Sequence, residues 1–302
     1  MFHVVVYSGE WFLNNWRGYR LEFATIPLMK LLNGSELAGF IKERQAHQVR
    51  ALRQADGVAP KLAIIRTNPD PVVDSYMKLK QTYGEDILVE VEVHTIEQAQ
   101  ALERIAKLNN DPNVHGIIVQ IPLPDPSQTT EILNAVATAK DVDGLAAGTQ
   151  FDPATPMAIL WLLAGYNIEL KDKHIVVVGH GRLVGRPLAA ILHASDYDIE
   201  VVDKSVENLG NVTRNADVII TATGVPGLIT ADMVKPDAVI VDAGVATDSN
   251  GLIGDVAADV RDLPDIKITP EKGGVGPLTV CALFENVIRA ARTAADITET
   301  EG

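Results

Sequence analysis

The sequence has very little cysteine, few aromatic residues and no long apolar run. Cys281 is the only cysteine among 302 residues, and aromatic residues make up 5% of the chain. A single cysteine cannot form an intramolecular disulfide bond. No stretch approaches the roughly 18 apolar residues that a transmembrane helix requires. We therefore expect a cytoplasmic protein that does not bind a membrane.

Positive charge is also scarce, because 26 lysine and arginine residues stand against 40 aspartate and glutamate residues. The resulting formal net charge of -14 repels nucleic acids and anionic membrane surfaces. The seven histidines do not show the spacing of metal ligands. We therefore expect a small-molecule partner, with no nucleic acid, no membrane and no bound metal.

The order of the apolar segments predicts an α/β protein of two domains. In the first domain, strands are expected at 61–66, 87–94 and 114–120, and helices near 71–83, 96–109 and 127–139. In the second, strands are expected at 174–179, 199–203, 217–224 and 238–244. Their continuous apolar character is typical of parallel strands that are buried on both faces.

The domain boundaries follow from composition. Residues 1–28 are interpreted as an N-terminal extension and 29–150 as the first domain, and 151–279 as the second. A helix over about 280–296 is expected to return to the first domain. A short strand in the segment that begins at Met29 and a turn at Asn33–Gly34 should precede the first helix, with Ser35 as its N-cap.

The segment VVVGHGRLVGRP, residues 176–187, follows a predicted strand and opens a predicted helix. Gly179, Gly181 and Gly185 form the pattern GxGxxxG, one residue longer than the usual dinucleotide-binding fingerprint. Turn or helix-packing glycines are the alternative interpretation. Because Asp203 ends the next predicted strand, as an acidic residue does in many dinucleotide sites, the context favours a dinucleotide.

Other polar residues lie where ligands bind in α/β proteins. Tyr76 and Lys80 are four residues apart and share one helix face, although most helical lysines are only solvated charges. Gln120 ends an apolar strand, where it could also bond to its own loop. Asp141 and Asp143 in KDVDG either orient a substrate or form a turn before the glycine, and the turn suits at least one of them.

The segment GGVGP, residues 273–277, carries three glycines directly before a predicted helix. Glycines at this density form a strained connection or bring backbone N–H groups to a ligand. Both interpretations remain open.

The segments SYMKLK, VHGIIVQIPLP, KDVDGL, PATP, VVVGHGRLVGRP and TPEKGGVGPLT occur in this order. With them, the chain from about residue 29 to its end resembles the bifunctional methylenetetrahydrofolate dehydrogenase/methenyltetrahydrofolate cyclohydrolase family. The resemblance implies a folate cleft between a catalytic αβ domain and a Rossmann-type NAD(P)-binding domain, usually in a homodimer. It implies oxidation of 5,10-methylenetetrahydrofolate with NADP or NAD, followed by hydrolysis of the methenyl product to 10-formyltetrahydrofolate.

The same resemblance implies roles for individual residues. Lys80 would be the key residue of hydrolysis, Gln120 would bond to it, Tyr76 would stack near the folate and Asp143 would hold the pterin. Further substrate-binding residues would be Gly273, Gly274 and Pro277. The cofactor-binding residues would be Gly179, His180, Gly181, Gly185, Asp203, Ser205 and Val245.

The glycine loop departs from the family, which usually has Arg-Ser where this chain has His180 and Gly181. That arginine helps to hold the 2'-phosphate of NADP. Asp203 suits the ribose 2'-hydroxyl of NAD and repels a 2'-phosphate. Three nearby side chains could still contact a phosphate: Arg182, Lys204 and Ser205. We hypothesise that NAD is tolerated or preferred in a family that more often uses NADP.

Other departures leave two rival hypotheses. The family usually has a glycine at Asn68, a serine at Val73 and a different pair at Glu271 and Lys272. Val73, Glu271 and Lys272 motivate the hypothesis of a folate- or nucleotide-binding protein without turnover. A Rossmann oxidoreductase acting on another small substrate is the second rival, although it does not explain Tyr76, Lys80, Gln120 and Asp143 together.

Overall fold

The computed structural model describes residues 31–69, 71–248 and 251–300. This part of the chain contains two parallel β-sheets of three and five strands and a short antiparallel hairpin. The predicted α/β class is therefore confirmed. The extension over 1–28 lies outside the described residues, as does the start of the short strand predicted before Asn33. Within the described residues, Leu31 forms a parallel bridge with Ile268.

The helices of the described chain are α1 (Gly34–Ala55), α2 (Pro71–Ile87), α3 (Ala101–Asn109), α4 (Thr129–Asn134), α5 (Ala154–Gly165), α6 (Gly185–Ala194), α7 (Leu209–Thr213) and α8 (Val275–Thr300). The strands are β1 (Lys61–Arg66), β2 (Glu90–Thr95), β3 (Gly116–Val119), β4 (Ile175–Val178), β5 (Ile199–Val202), β6 (Val218–Thr221), β7 (Val239–Asp242), β8 (Ala246–Asp248), β9 (Gly251–Ile253) and β10 (Lys267–Ile268).

The first sheet has the strand order β2-β1-β3, and both of its strand pairs are parallel. Successive side chains of a strand point to opposite faces. Leu62 and Ile64 accordingly join one apolar cluster, and Ala63 and Ile65 join another. The central strand β1 is thus buried on both faces, which explains its continuous apolar sequence.

The second sheet has the order β10-β7-β6-β4-β5, again with parallel pairs. All four residues of β4 and all four of β6 are buried. The chain moves from β4 to β5 on one side and then returns to β6 on the other side of β4. Ligands of open α/β sheets bind at such a switch point, and the glycine loop over 179–185 follows β4 directly.

Several element boundaries differ from the sequence prediction, among them those of β2 and of the helix predicted near 127–139. Strand β2 begins at Glu90 rather than 87 because α2 continues to Ile87 and Leu88 adopts φ 65°. The helix predicted near 127–139 ends at Asn134. There the Asn109 side chain donates to Ala135 O (2.8 Å) and accepts from Ala137 N (3.0 Å), which provides partners outside the helix.

The N-cap of α1 was predicted wrongly. Asn33, not Ser35, caps the helix, and its Oδ1 accepts from Glu36 N at 3.3 Å. Ser35 lies inside the first turn, where its backbone N–H donates to Gly273 O at 2.9 Å.

Helix α8 packs against α1 and α5 and joins the apolar cluster that contains Leu62 and Ile64. Its buried Asn286 donates through Nδ2 to Val142 O and to Asp152 O, both at 2.9 Å. These bonds fix the loop that carries KDVDG against α8.

We expect Asn286→Ala to lower the free energy of unfolding by about 2 kcal/mol, because the buried carbonyl of Val142 and the partly buried carbonyl of Asp152 lose their donor. Chemical denaturation measures the change. As a control, Asn215→Ala removes an exposed bond to Asn211 O and should cost less than about 0.5 kcal/mol. Equal effects of the two substitutions would contradict the assigned role of Asn286.

Candidate functional site

Lys80 and Gln120 meet at the carboxyl end of the first sheet. Lys80 lies on α2 and Gln120 follows β3, and Lys80 Nζ donates to Gln120 Oε1 at 3.1 Å. Gln120 Nε2 donates to Ile121 O at 3.1 Å, which leaves Oε1 directed at the lysine. The sequence predicted both residues as site residues, and the fold brings them together across 40 positions.

Asp143 completes a charged group with Lys80, and both side chains are half-buried. Burial lowers the pKa of the Lys80 ammonium, and the nearby Asp143 carboxylate opposes this. Burial also raises the pKa of the Asp143 carboxyl, against the attraction of Lys80. In both cases desolvation outweighs the attraction, as expected for a titratable pair at a functional site.

The two aspartates of KDVDG differ in their surroundings. Asp141 is buried, its Oδ2 accepts from Ala146 N at 2.9 Å, and its carbonyl accepts from Gly144 N at 3.1 Å. These contacts form the turn. Asp141 is thus the structural member of the pair, and Asp143 is the member beside Lys80.

Tyr76 lies one helical turn before Lys80 on α2 and is also half-buried. Burial raises the pKa of its phenol above the ordinary value. Lys78, between them in sequence, is exposed, so the two faces of α2 separate as the spacing predicted.

The glycine loop turns sharply between β4 and α6. Gly179 has φ 104°, which favours glycine. A Cβ on Gly185 would lie 1.8 Å from Gly179 O, so a side chain there would prevent α6 from approaching the loop. A Cβ on Gly181 would meet nothing within 4 Å. The first and third glycines therefore shape the loop, and the second faces open space.

Asp203 follows β5, one strand from the glycine loop. Its Oδ1 accepts from Ser205 Oγ (2.7 Å) and Ser205 N (2.9 Å). These bonds lower the pKa of the exposed Asp203 carboxyl, and the charge of His180 adds to the effect. His180, Asp203 and Ser205 thus gather at one end of the second sheet.

Val245 follows β7 and is exposed over 56% of its surface, at the same edge of the sheet as the glycine loop.

In the GGVGP segment, Gly273 O accepts from Ser35 N. Gly274 is buried, and Pro277 is half-buried in the first turn of α8. These contacts support the structural interpretation of GGVGP, whereas its substrate-binding role stays a prediction. Glu271 and Lys272 are exposed.

One contact between the glycine loop and α4 was missed from the sequence. Arg182 of the glycine loop donates through Nη2 to Thr130 Oγ1 on α4 at 2.9 Å. The two residues are 52 positions apart, and Thr130 belongs to no recognisable motif. No sequence signal pointed to it.

The part of the chain that the structure describes contains no helix long and apolar enough to span a bilayer. Within the same residues, no three histidine, cysteine, aspartate or glutamate side chains converge as metal ligands would.

Two sequence models of protein families match the chain. "Tetrahydrofolate dehydrogenase/cyclohydrolase, catalytic domain" matches residues 32–143. "Tetrahydrofolate dehydrogenase/cyclohydrolase, NAD(P)-binding domain" matches residues 153–295. Together they contain the two sheets and the site residues described above.

Individual proteins agree with these matches. The "Bifunctional protein FolD" of Nitratiruptor sp. is 36% identical over 277 residues, which is 87% of this chain and 98% of that protein. The crystal structure of the bifunctional enzyme FolD from Campylobacter jejuni has a TM-score of 0.82 and 34% identity, and the match covers 87% of this chain and 98% of that one. The Trypanosoma brucei enzyme, solved with NADP cofactor and inhibitor, has a TM-score of 0.82 and 26% identity, with 89% and 99% covered.

Proposed function

The chain belongs to the tetrahydrofolate dehydrogenase/cyclohydrolase family, and we propose that it catalyses both reactions of that family in one cleft. It oxidises 5,10-methylenetetrahydrofolate to 5,10-methenyltetrahydrofolate with NAD(P)+ and hydrolyses this product to 10-formyltetrahydrofolate. The protein thus acts in the exchange of one-carbon units on folate. The contact of Lys80 with Gln120 beside Asp143 is the observation that carries the proposal.

Lys80 is the group that we assign to hydrolysis. Because burial lowers its pKa, more of it is neutral near physiological pH than of a free lysine. The neutral amine takes a proton from the water that attacks the methenyl carbon, which leaves a hydroxyl on that carbon. The resulting ammonium gives its proton to N5 as the bond from N5 to the carbon breaks, and the hydroxyl releases its own proton to solvent as the formyl C=O forms. The hydrogen bond to Gln120 holds Nζ in place while its charge changes.

The folate is held by groups around Lys80. The Asp143 carboxylate accepts hydrogen bonds from N–H groups of the pterin, which orients the ring with charge-assisted bonds. Tyr76 provides an aromatic face for stacking. The backbone of Gly273 and Gly274, with Pro277, forms the wall contributed by the GGVGP segment.

The dehydrogenase step needs no acid or base, because the protein only has to hold a nicotinamide against the methylene carbon. Bound NAD(P)+ supplies the hydride acceptor. The residues fit such a group: Gly181 faces open space, and α6 begins at Gly185 without a side-chain cap on its N–H groups. His180, Asp203 and Ser205 would hold the adenine ribose, and Val245 would line the cleft.

A homodimer and a cytoplasmic location belong to the same proposal. The family resemblance supports the dimer. Light scattering of the purified protein tests it, and a mass equal to one chain would contradict it.

An activity assay tests the proposed function: purified protein is mixed with methylenetetrahydrofolate and either NAD+ or NADP+. We expect methenyl absorbance to appear and the dinucleotide to be reduced. A binding protein without turnover would change neither signal, and an oxidoreductase for another substrate would not act on the folate. Inactivity with both dinucleotides would therefore overturn the proposal.

We expect Lys80→Met to lower cyclohydrolase activity by about 100-fold or more, because a positioned acid–base group contributes at least that much. In the wild type, the hydrolysis rate should rise with pH through the lowered pKa of Lys80, since only its neutral form accepts the proton. This rise should be absent from the variant. Stopped-flow measurement of methenyl absorbance gives both results.

Lys78→Met is the matched control, because Lys78 is exposed on the other face of the same helix. It should keep the wild-type rate and pH profile. Unchanged hydrolysis in a folded Lys80→Met protein would remove Lys80 from the proposed role.

We also expect kcat/KM to be higher with NAD+ than with NADP+, because the Asp203 carboxylate repels a 2'-phosphate. Asp203→Asn should shift the ratio toward NADP+ by about threefold to fivefold, the effect of one solvent-screened charge. Glu200→Gln, at an exposed position of β5, should leave the ratio unchanged. A wild-type preference for NADP+ would refute the hypothesis.

A further inference from the structure

Two carboxylates that the proposed chemistry does not use lie beneath the carboxyl edge of the second sheet. Asp242 ends β7, and its side chain is 5% exposed. Asp255 lies between β9 and β10 and is fully buried. Burying a carboxylate is costly unless its contacts compensate. The contacts that compensate for the burial of Asp242 and Asp255 therefore indicate the role of these two side chains.

Asp255 holds the turn that follows β6. Its Oδ2 accepts from Thr221 Oγ1 at 2.6 Å and from Thr223 N at 2.7 Å. Its Oδ1 is buried and has no hydrogen-bond partner in the described chain. This oxygen lies against the turn after β7, since a Cβ on Gly244 would come within 2.0 Å of it. One carboxylate thus contacts both turns.

Asp242 holds the backbone at Asp255. Its Oδ1 accepts from Asp255 N (3.0 Å) and Gly244 N (3.1 Å), and its Oδ2 accepts from Val256 N (3.1 Å). The two aspartates therefore interlock: Asp242 holds the backbone of Asp255, and the side chain of Asp255 holds the neighbouring strand end.

The turn held by Asp255 packs directly on the glycine loop. Ala222 N donates to Val178 O at 2.9 Å, and a Cβ on Gly179 would lie 2.8 Å from Ala222 O. The segment Ala222–Thr223 is therefore enclosed between Gly179 on one side and Asp255 on the other. A displaced turn would change the shape of the loop that the dinucleotide is expected to contact.

We propose that Asp255 is a positioning residue for the dehydrogenase reaction, which holds the turn after β6 against the glycine loop and the turn after β7 beside it. It touches no reacting atom. Its effect is on the shape of the dinucleotide cleft. The inference rests on the proposed function, and the cyclohydrolase reaction, which needs no dinucleotide, separates it from a general role in folding.

The test compares both activities in Asp255→Ala and Thr221→Val. Asp255→Ala removes both hydrogen bonds to the turn, whereas Thr221→Val removes only the side-chain bond. We expect the dinucleotide KM to rise about tenfold in the first variant and about threefold in the second, with cyclohydrolase activity within about twofold of wild type. Asp255→Asn keeps an acceptor oxygen and should recover most of the loss.

Thr230→Val is the matched control, because Thr230 Oγ1 makes a bond of the same length, 2.6 Å, to the exposed Asp232. It should change neither activity. A parallel loss of both activities in Thr221→Val, or an unchanged dinucleotide KM in both test variants, would overturn the inference. If Asp255→Ala does not fold, Thr221→Val decides the result. An inactive wild type would instead overturn the proposed function.

Discussion

Strands that are buried on both faces leave polar chemistry only at their ends, and the candidate site depends on this constraint. β1, β3 and β4 are apolar throughout their buried residues, and β6 is apolar up to Thr221 at its carboxyl end. The apolar side chains enter clusters above and below the sheets. The parallel arrangement places all their carboxyl ends at one edge of each sheet. A strand therefore ends directly before each of three site elements: Gln120, Asp203 and the glycine loop.

The two reactions place different demands on the same cleft. In the proposed mechanism hydrolysis needs a group that exchanges a proton, and we assign this step to Lys80, whose pKa is lowered by burial against the attraction of Asp143. Hydride transfer requires the nicotinamide to be positioned. The shape of this edge of the second sheet is set by the close approach of Gly179 and Gly185 and by the bond between Asp242 and Asp255.

The two sides are joined by contacts between segments that are distant in sequence. Gly273 O binds the first turn of α1 through Ser35 N, and Asn286 of α8 binds the loop that carries KDVDG. Arg182 of the glycine loop reaches Thr130 on α4. The strained-connection interpretation of GGVGP is thus supported by its packing, and the same packing places the segment between α1 and α8.

The sequence by itself predicted the parallel strands β1 to β7, because runs of apolar residues can be recognised without knowledge of their partners, and it identified Lys80, Gln120, Asp143 and the glycine loop as candidate site residues. It did not predict the hairpin of β8 and β9. The tertiary structure decided which of two similar groups takes which role. Asp141 rather than Asp143 forms the turn, and Asn33 rather than Ser35 caps α1. Thr130 and Asp255 were not found in advance, since neither belongs to a motif that the sequence analysis singled out, and their partners lie 52 and 34 positions away. A run of apolar residues shows which segment will be buried. A hydrogen bond between distant segments, in contrast, forms only once the chain has folded.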